Sequence, residues 1–294
     1  MMLQEIAQTE LNRIDLRTRG LLITLHLHAF TARKYDRKVS TKTAETHQAS
    51  KDAGRYNKKL IDTEKYLKPI TKLQSEIRQY HYDHTLPWMD GSRILNVLIF
   101  DEYCSQLNDY MDKHDAMVNT FMAVYPQAKL EAETLLGEMF NPDEYPGEDM
   151  VRSKFDVEFY VSPLPDVEDF RMTLPDSVVQ QTALKIEQTY QSSLQDAHRR
   201  LYDCIKAIAE KLPAYDKGQI KTFRDTVITN LQEVIDLMPA LNISDDARLK
   251  FITEMADRKL AKHEPSQLRD DPLLRSQVAQ DAANILAKMN IGSP

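Results

Sequence analysis

The chain has little of what a catalytic or secreted protein usually displays. Its seven glycines form no Gly-x-Gly-x-x-Gly, Gly-x-x-x-x-Gly-Lys-Ser/Thr or Gly-x-Ser-x-Gly spacing, so dinucleotide-binding, P-loop and nucleophile-elbow chemistry lacks its backbone. The two cysteines, Cys104 and Cys204, are 100 residues apart. They make neither a disulfide framework nor a zinc cluster, which points to a reducing, cytoplasmic setting. Apolar runs such as Gly20-Leu21-Leu22-Ile23 and Val97-Leu98-Ile99-Phe100 fall far short of a bilayer span. Met1-Met2-Leu3-Gln4-Glu5 lacks the basic-then-apolar pattern of a signal peptide. A soluble cytoplasmic protein with no membrane partner is therefore expected. Few glycines beside 45 acids and 38 bases point to a helix-rich chain with few tight turns.

What is present is a reversal of charge. Residues 31–80 hold thirteen Lys and Arg against six acids, a balance of +7, whereas the whole chain stands at −7. The other 244 residues therefore carry −14. Within and just after this window lie Tyr35, Tyr56, Tyr66, Tyr80 and Tyr82, then the only tryptophan, Trp88. Such a stretch reads as a contact surface for an acidic partner or a phosphate backbone.

Three short segments alternate with period two. Ile23, Leu25, Leu27 and Ala29 oppose Thr24, His26 and His28. Phe155, Val157, Phe159 and Val161 oppose Asp156, Glu158 and Tyr160. Phe170, Met172 and Leu174 oppose Arg171 and Thr173. The last two flank Ser162-Pro163-Leu164-Pro165-Asp166 and are expected to pair as a hairpin. Two strands alone are marginal in water, so the 21–30 strand should join them.

The rest is helical in pattern. Tyr103, Leu107, Tyr110, Met111, His114, Met117, Val118, Phe121 and Tyr125 recur at three and four. Val179, Ala183, Ile186, Tyr190, Leu194, Ala197, Leu201, Ile205, Ile208 and Leu212 trace a longer stripe over 176–212. Asp176 or Ser177 can cap this helix, and Pro213 ends it. At roughly 50 Å it outruns a small sheet. A second helix over 217–238, stopping before Pro239, is its expected partner. Shorter helices are expected at 245–262 and 272–289, with a hinge at 262–266. The predicted fold is α+β and predominantly helical, a small antiparallel sheet packed with helices plus a long helical hairpin or bundle. Its expected parts are an α+β region over 1–175 and a helical region over 176–294.

Candidate sites follow from charge and aromaticity. Asp52-Ala53-Gly54-Arg55-Tyr56-Asn57-Lys58-Lys59 lacks periodicity and reads as a loop presenting Arg55, Tyr56, Lys58 and Lys59 outward. Lys65 continues the basic surface. Basic side chains interleaved with aromatics are what single-strand binders use, and they equally suit an acidic protein. Trp88, in Pro87-Trp88-Met89-Asp90-Gly91, suits a core plug or an interface anchor. His26 and His28 with Asp156 and Glu158 would make a metal site if their strands were neighbours. The solvated face of a one-sided sheet needs the same residues. His81 and His84 share a helix face just before Pro87, where a histidine also complements the helix dipole. Asn141-Pro142-Asp143-Glu144-Tyr145-Pro146-Gly147-Glu148-Asp149 lacks the alternation of a calcium loop. No catalytic residue, metal site or cofactor is assigned.

Ala53-Gly54-Arg55-Tyr56-Asn57-Lys58-Lys59-Leu60, Tyr80-His81-Tyr82, Thr85-Leu86-Pro87-Trp88, Asp90-Gly91-Ser92-Arg93-Ile94-Leu95 and Leu241-Asn242-Ile243-Ser244-Asp245-Asp246 resemble a group of uncharacterised phage and prophage proteins over most of 20–250. Some members of that group are encoded near a MoxR-type ATPase and a von Willebrand A-domain protein. The resemblance implies a helper or adaptor in a phage-encoded assembly and carries over no catalytic residue. The expected function is a non-enzymatic phage or mobile-element interaction protein that self-assembles or docks on a larger host or phage complex, antagonism of a host defence being one form. The alternative is a nucleic-acid binder using the Tyr-rich basic segment 31–82.

Overall fold

Period-two alternation forms strands where expected, and burial decides how long each face stays apolar. In the computed structural model, residues 17–165, 175–215 and 224–290 are described. The first strand, β1 (Gly20–His28), buries the adjacent Leu22 and Ile23 and exposes His26 and His28. Its first half is thus covered on both faces, and the expected one-sided pattern holds only in its second half. Strand β6 (Asp156–Pro163) follows Phe155. Phe155 and Val157 are buried, but Tyr160 and Val161 are exposed. The expected partner strand at 170–174 lies outside the described residues.

Between them come β2 (Arg33–Tyr35), α1 (Arg37–Thr46), β3 (Asn57–Lys59), α2 (Thr63–Tyr66) and α3 (Lys68–His84), then β4 (Leu86–Pro87), β5 (Ser92–Asn96), α4 (Phe100–Leu136) and α5 (Glu148–Arg152). The antiparallel sheet runs β4-β5-β1-β6, so β1 and β6 are neighbours as expected, and β2 and β3 form a separate ribbon. Strands β4 and β5 were not foreseen. They meet through Met89-Asp90-Gly91-Ser92, closed by Ser92 N–H donating to the Met89 carbonyl at 3.1 Å. Asp90 and Gly91 have φ of 56° and 79°. Positive φ at both central residues is what a two-residue hairpin turn requires, and Asp-Gly supplies it.

Helix α6 (Asp176–Lys211) is followed by α7 (Thr226–Leu241), α8 (Ala247–Ala256), α9 (Pro265–Asp270) and α10 (Pro272–Asn290). Pro175, rather than Asp176 or Ser177, occupies the cap of α6. Helix α7 runs through Pro239 to Leu241, past the expected stop. Helix α4 likewise continues through Pro126, because the buried stripe of Phe121, Tyr125, Ala128, Ala132 and Leu136 does not pause there. Each proline removes one intrahelical bond, and continued burial outweighs that loss.

The chain divides into two compact units, and the division is not the expected one at 175/176. The first comprises Met1–Thr24, Tyr82–Tyr103 and Tyr160–Pro294. The second comprises Leu25–His81 and Cys104–Phe159. The reason is the unforeseen hairpin. Leu86 and Leu22 both face Ile94 across the sheet. That row packs with Tyr190, Ala197 and Leu201 of α6. Leu201, Ile205 and Ile208 are fully buried, each worth about 1.5–3 kcal/mol. Arg200 ties α6 to the same region, donating to the carbonyls of Asp83 (3.0 Å) and Thr85 (2.9 Å). The core of the second unit gathers Phe30, Ala32, Leu60 and Ile61 with Val118, Phe121 and Tyr125 of α4.

Candidate interaction surface

The basic segment folds into a ribbon and a helix pinned to the second unit's core. Ala32 and Leu60, buried on either side of β2 and β3, are joined by Leu60 N–H donating to the Ala32 carbonyl at 2.7 Å. Asp36 turns the chain into α1 by accepting from Val39 N–H at 3.0 Å. Ser40 Oγ donates to the Asp36 carbonyl and accepts from Tyr56 N–H at 2.9 Å. Tyr145 donates to the Leu60 carbonyl at 2.6 Å, and burial pushes its hydroxyl up to about 12.

The ribbon's register sets Arg33 opposite Lys59 and Lys34 opposite Lys58. Like charges directly opposite one another destabilise a sheet. One pair is relieved: Lys58 is only 4% exposed and holds Glu144 at 2.7 Å, Asp36 at 3.5 Å and the Met139 carbonyl at 2.6 Å. The Val39 N–H, with Lys58 adding to it, holds the Asp36 carboxyl below its ordinary value against the opposing effect of burial. The other pair, Arg33 and Lys59, stays exposed.

Lys58 is thus a correction. It does not point outward with Arg55, Tyr56 and Lys59. A buried ammonium needs counter-charges, and the 139–144 segment provides one. Arg55, Tyr56 and Lys59 are exposed as expected, with the Arg55 guanidinium 5.8 Å from the Tyr35 ring. Lys65 is exposed but engaged. It bonds Glu131 at 2.7 and 3.0 Å, which raises its ammonium above the usual range. Trp88 is half-buried in the first unit, edge-to-face with Tyr190 at 5.7 Å, where it plugs that core.

Arg33, Lys34, Tyr35, Arg37, Lys38 and Lys42, all within the basic window read from the sequence, lie on the ribbon and α1, and it is the ribbon that sequence reading missed. Strands of three residues are too short to show alternation. Among the described residues no carboxylate lies within ion-pair reach of Arg33, Lys34, Arg37, Lys38, Lys42, Lys51, Arg55 or Lys59, all exposed. Tyr35 and Tyr56 are 45% and 40% exposed beside them. A recess of 340 Å³ opens between the end of α1 and the 49–56 loop, bordered by His47, Arg55 and Tyr56.

The metal candidates do not assemble. Among the described residues no three His, Cys, Asp or Glu side chains converge as ligands. The rings of His26 and His28 stand 6.3 Å apart on an exposed face, and His81 is buried. Burial raises the Cys204 thiol, the opposite of an activated nucleophile. A 650 Å³ cleft in the first unit, lined by Arg19, Asn96, Leu98, Ile243, Asp245 and Lys250 among others, is mostly apolar, with Arg19 and Asp245 paired at 3.7 Å. No helix of the described residues is long and apolar enough to cross a membrane. No protein-family model, curated protein or solved structure matches the chain.

Proposed function

We propose that this is a non-enzymatic interaction protein of a phage or mobile element that docks through its basic ribbon and α1 on an acidic macromolecular surface. One observation carries this reading: eight exposed cations with no carboxylate within ion-pair distance among the described residues, two of them facing each other across the ribbon. A fold gains nothing from holding Arg33 against Lys59. Breaches of local rules without internal compensation are expected at functional sites. The exposed Tyr35 and Tyr56 add the amphipathic rings that dominate binding hot spots. The test compares the wild type with an Arg37→Glu, Arg55→Glu, Lys59→Glu variant as baits for phage-encoded and host proteins at low and high salt. Partners held by the wild type should be lost by the variant, and by both at high salt. Equal capture by both baits would sink the reading.

A second reading, single-stranded nucleic acid, is favoured by Tyr35 and Tyr56 standing as stacking platforms among Arg55, Lys34 and Lys59. It requires a mobility shift of labelled oligonucleotides that weakens steeply with salt.

A further inference from the structure

The second unit also carries an acidic surface that such a ribbon fits. Its two chain segments have opposite charge. Leu25–His81 holds thirteen bases and six acids, +7, and Cys104–Phe159 holds four bases and twelve acids, −8. Among the described residues only two ion pairs join the segments, Lys58 with Glu144 and Lys65 with Glu131. Asp109, Asp112, Glu133, Glu138, Glu148 and Asp149 are exposed and lack a cation in reach among those residues.

The segment that carries these acids also exposes apolar side chains. Helix α4 turns Phe121, Tyr125, Ala128 and Ala132 to its own core. Outside that stripe it exposes Met117, Val124 and Leu135 along one edge and Leu130 (67% exposed) on the opposite side, and α5 exposes Met150. Exposed apolar side chains beside charged ones are surface that a protein partner can cover. The ribbon exposes two tyrosines, Tyr35 and Tyr56, among its cations.

We infer that the acidic partner of the ribbon is a second copy of this chain: ribbon and α1 of one copy dock on the α4–α5 face of another. The inference rests on the ribbon being a docking surface. A phosphate backbone would neutralise the cations but leave the exposed apolar side chains of α4 uncovered. The −14 carried outside the basic window also repels a long polyanion. Docking between copies covers both surfaces at once, and its charge complementarity sets register and partner choice.

A charge swap tests it. One variant reverses the ribbon (Lys34→Glu, Arg37→Glu, Arg55→Glu, Lys59→Glu); the other reverses the acidic face (Asp109→Lys, Asp112→Lys, Glu133→Lys, Glu148→Lys). All eight side chains are exposed, and thermal melting checks that both variants fold. By light scattering the wild type should exceed the 34.0 kDa chain mass at low salt and fall to it at high salt. Each variant alone should be monomeric, and an equal mixture should regain the larger mass, since the swapped surfaces again complement. A monomeric wild type, a salt-insensitive oligomer or a mixture that fails to associate overturns the inference. If the wild type is monomeric while the ribbon-reversed variant loses a partner or oligonucleotide that the acid-reversed variant keeps, self-docking fails and the docking ribbon stands. If ribbon reversal changes no binding at all, both fail.

Discussion

Replacing Lys58 with Met should unfold the ribbon's base, whereas replacing its opposite neighbour Lys34 should not. The Lys58 ammonium sits against Glu144, Asp36 and the Met139 carbonyl with only 4% of its side chain exposed. Methionine fills similar volume but leaves two carboxylates facing each other without a cation. Removing one partner of a buried pair costs about 3–5 kcal/mol. Glu144 and Asp36 keep 22% and 13% exposure, and water reaching them lowers that to roughly 2–3 kcal/mol. At roughly 2–4 °C per kcal/mol for a domain of 150–250 residues, the melting temperature should fall by roughly 4–12 °C. Lys34→Ala removes an exposed like charge and should stay within about 0.5 kcal/mol of the wild type. Adding Glu144→Leu to Lys58→Met should recover part of the loss, because a whole buried pair is often replaceable by apolar groups. Calorimetric or circular-dichroism melts decide. Equal melting of Lys58→Met and the wild type would refute the buried placement of Lys58.

Three further outcomes follow from the same geometry. Gly91→Val should destabilise the hairpin by about 1–2 kcal/mol, since Gly91 has φ of 79° and a β-branched residue resists that region, as denaturant titration would show. Gln74 Nε2 donates to the His28 carbonyl at 2.8 Å, so its second contact, at 3.1 Å, must also be donated, to a neutral His114 Nε2. Burial depresses His114 below its ordinary 6.5. This stability is present above 6.5 and is lost as pH falls through the depressed value, which NMR titration of the ring and melts at falling pH would register. Replacing Arg55, Tyr56 and Lys59 together with Ala should leave the melting temperature nearly unchanged and weaken partner binding at least about tenfold, or roughly 1.4 kcal/mol, in a titration.

The helix-dominated α+β fold was legible because its two longest strands and its long helices repeat their own period. The β4–β5 hairpin was not, since Leu86–Pro87 is too short to alternate. Its one local signal was the turn-forming Asp90-Gly91 between Met89 and Ser92. Pro239 misled at α7 because burial of Met238 and Leu241 on either side carries the helix through. Of the candidate site, the excess of positive charge could be read directly. The inward turn of Lys58 could not, because Glu144 and Met139 come from a distant part of the chain. The pairing of Lys65 was invisible for the same reason, its partner Glu131 lying on α4.

The most direct test is a calorimetric titration of the ribbon-reversed variant into the acid-reversed variant at low and high salt. Docking between copies predicts saturable binding of the mixed pair at low salt that fades at high salt, with no heat when either variant is diluted alone. No binding between the two variants, while each keeps the wild type's melting temperature, would contradict it.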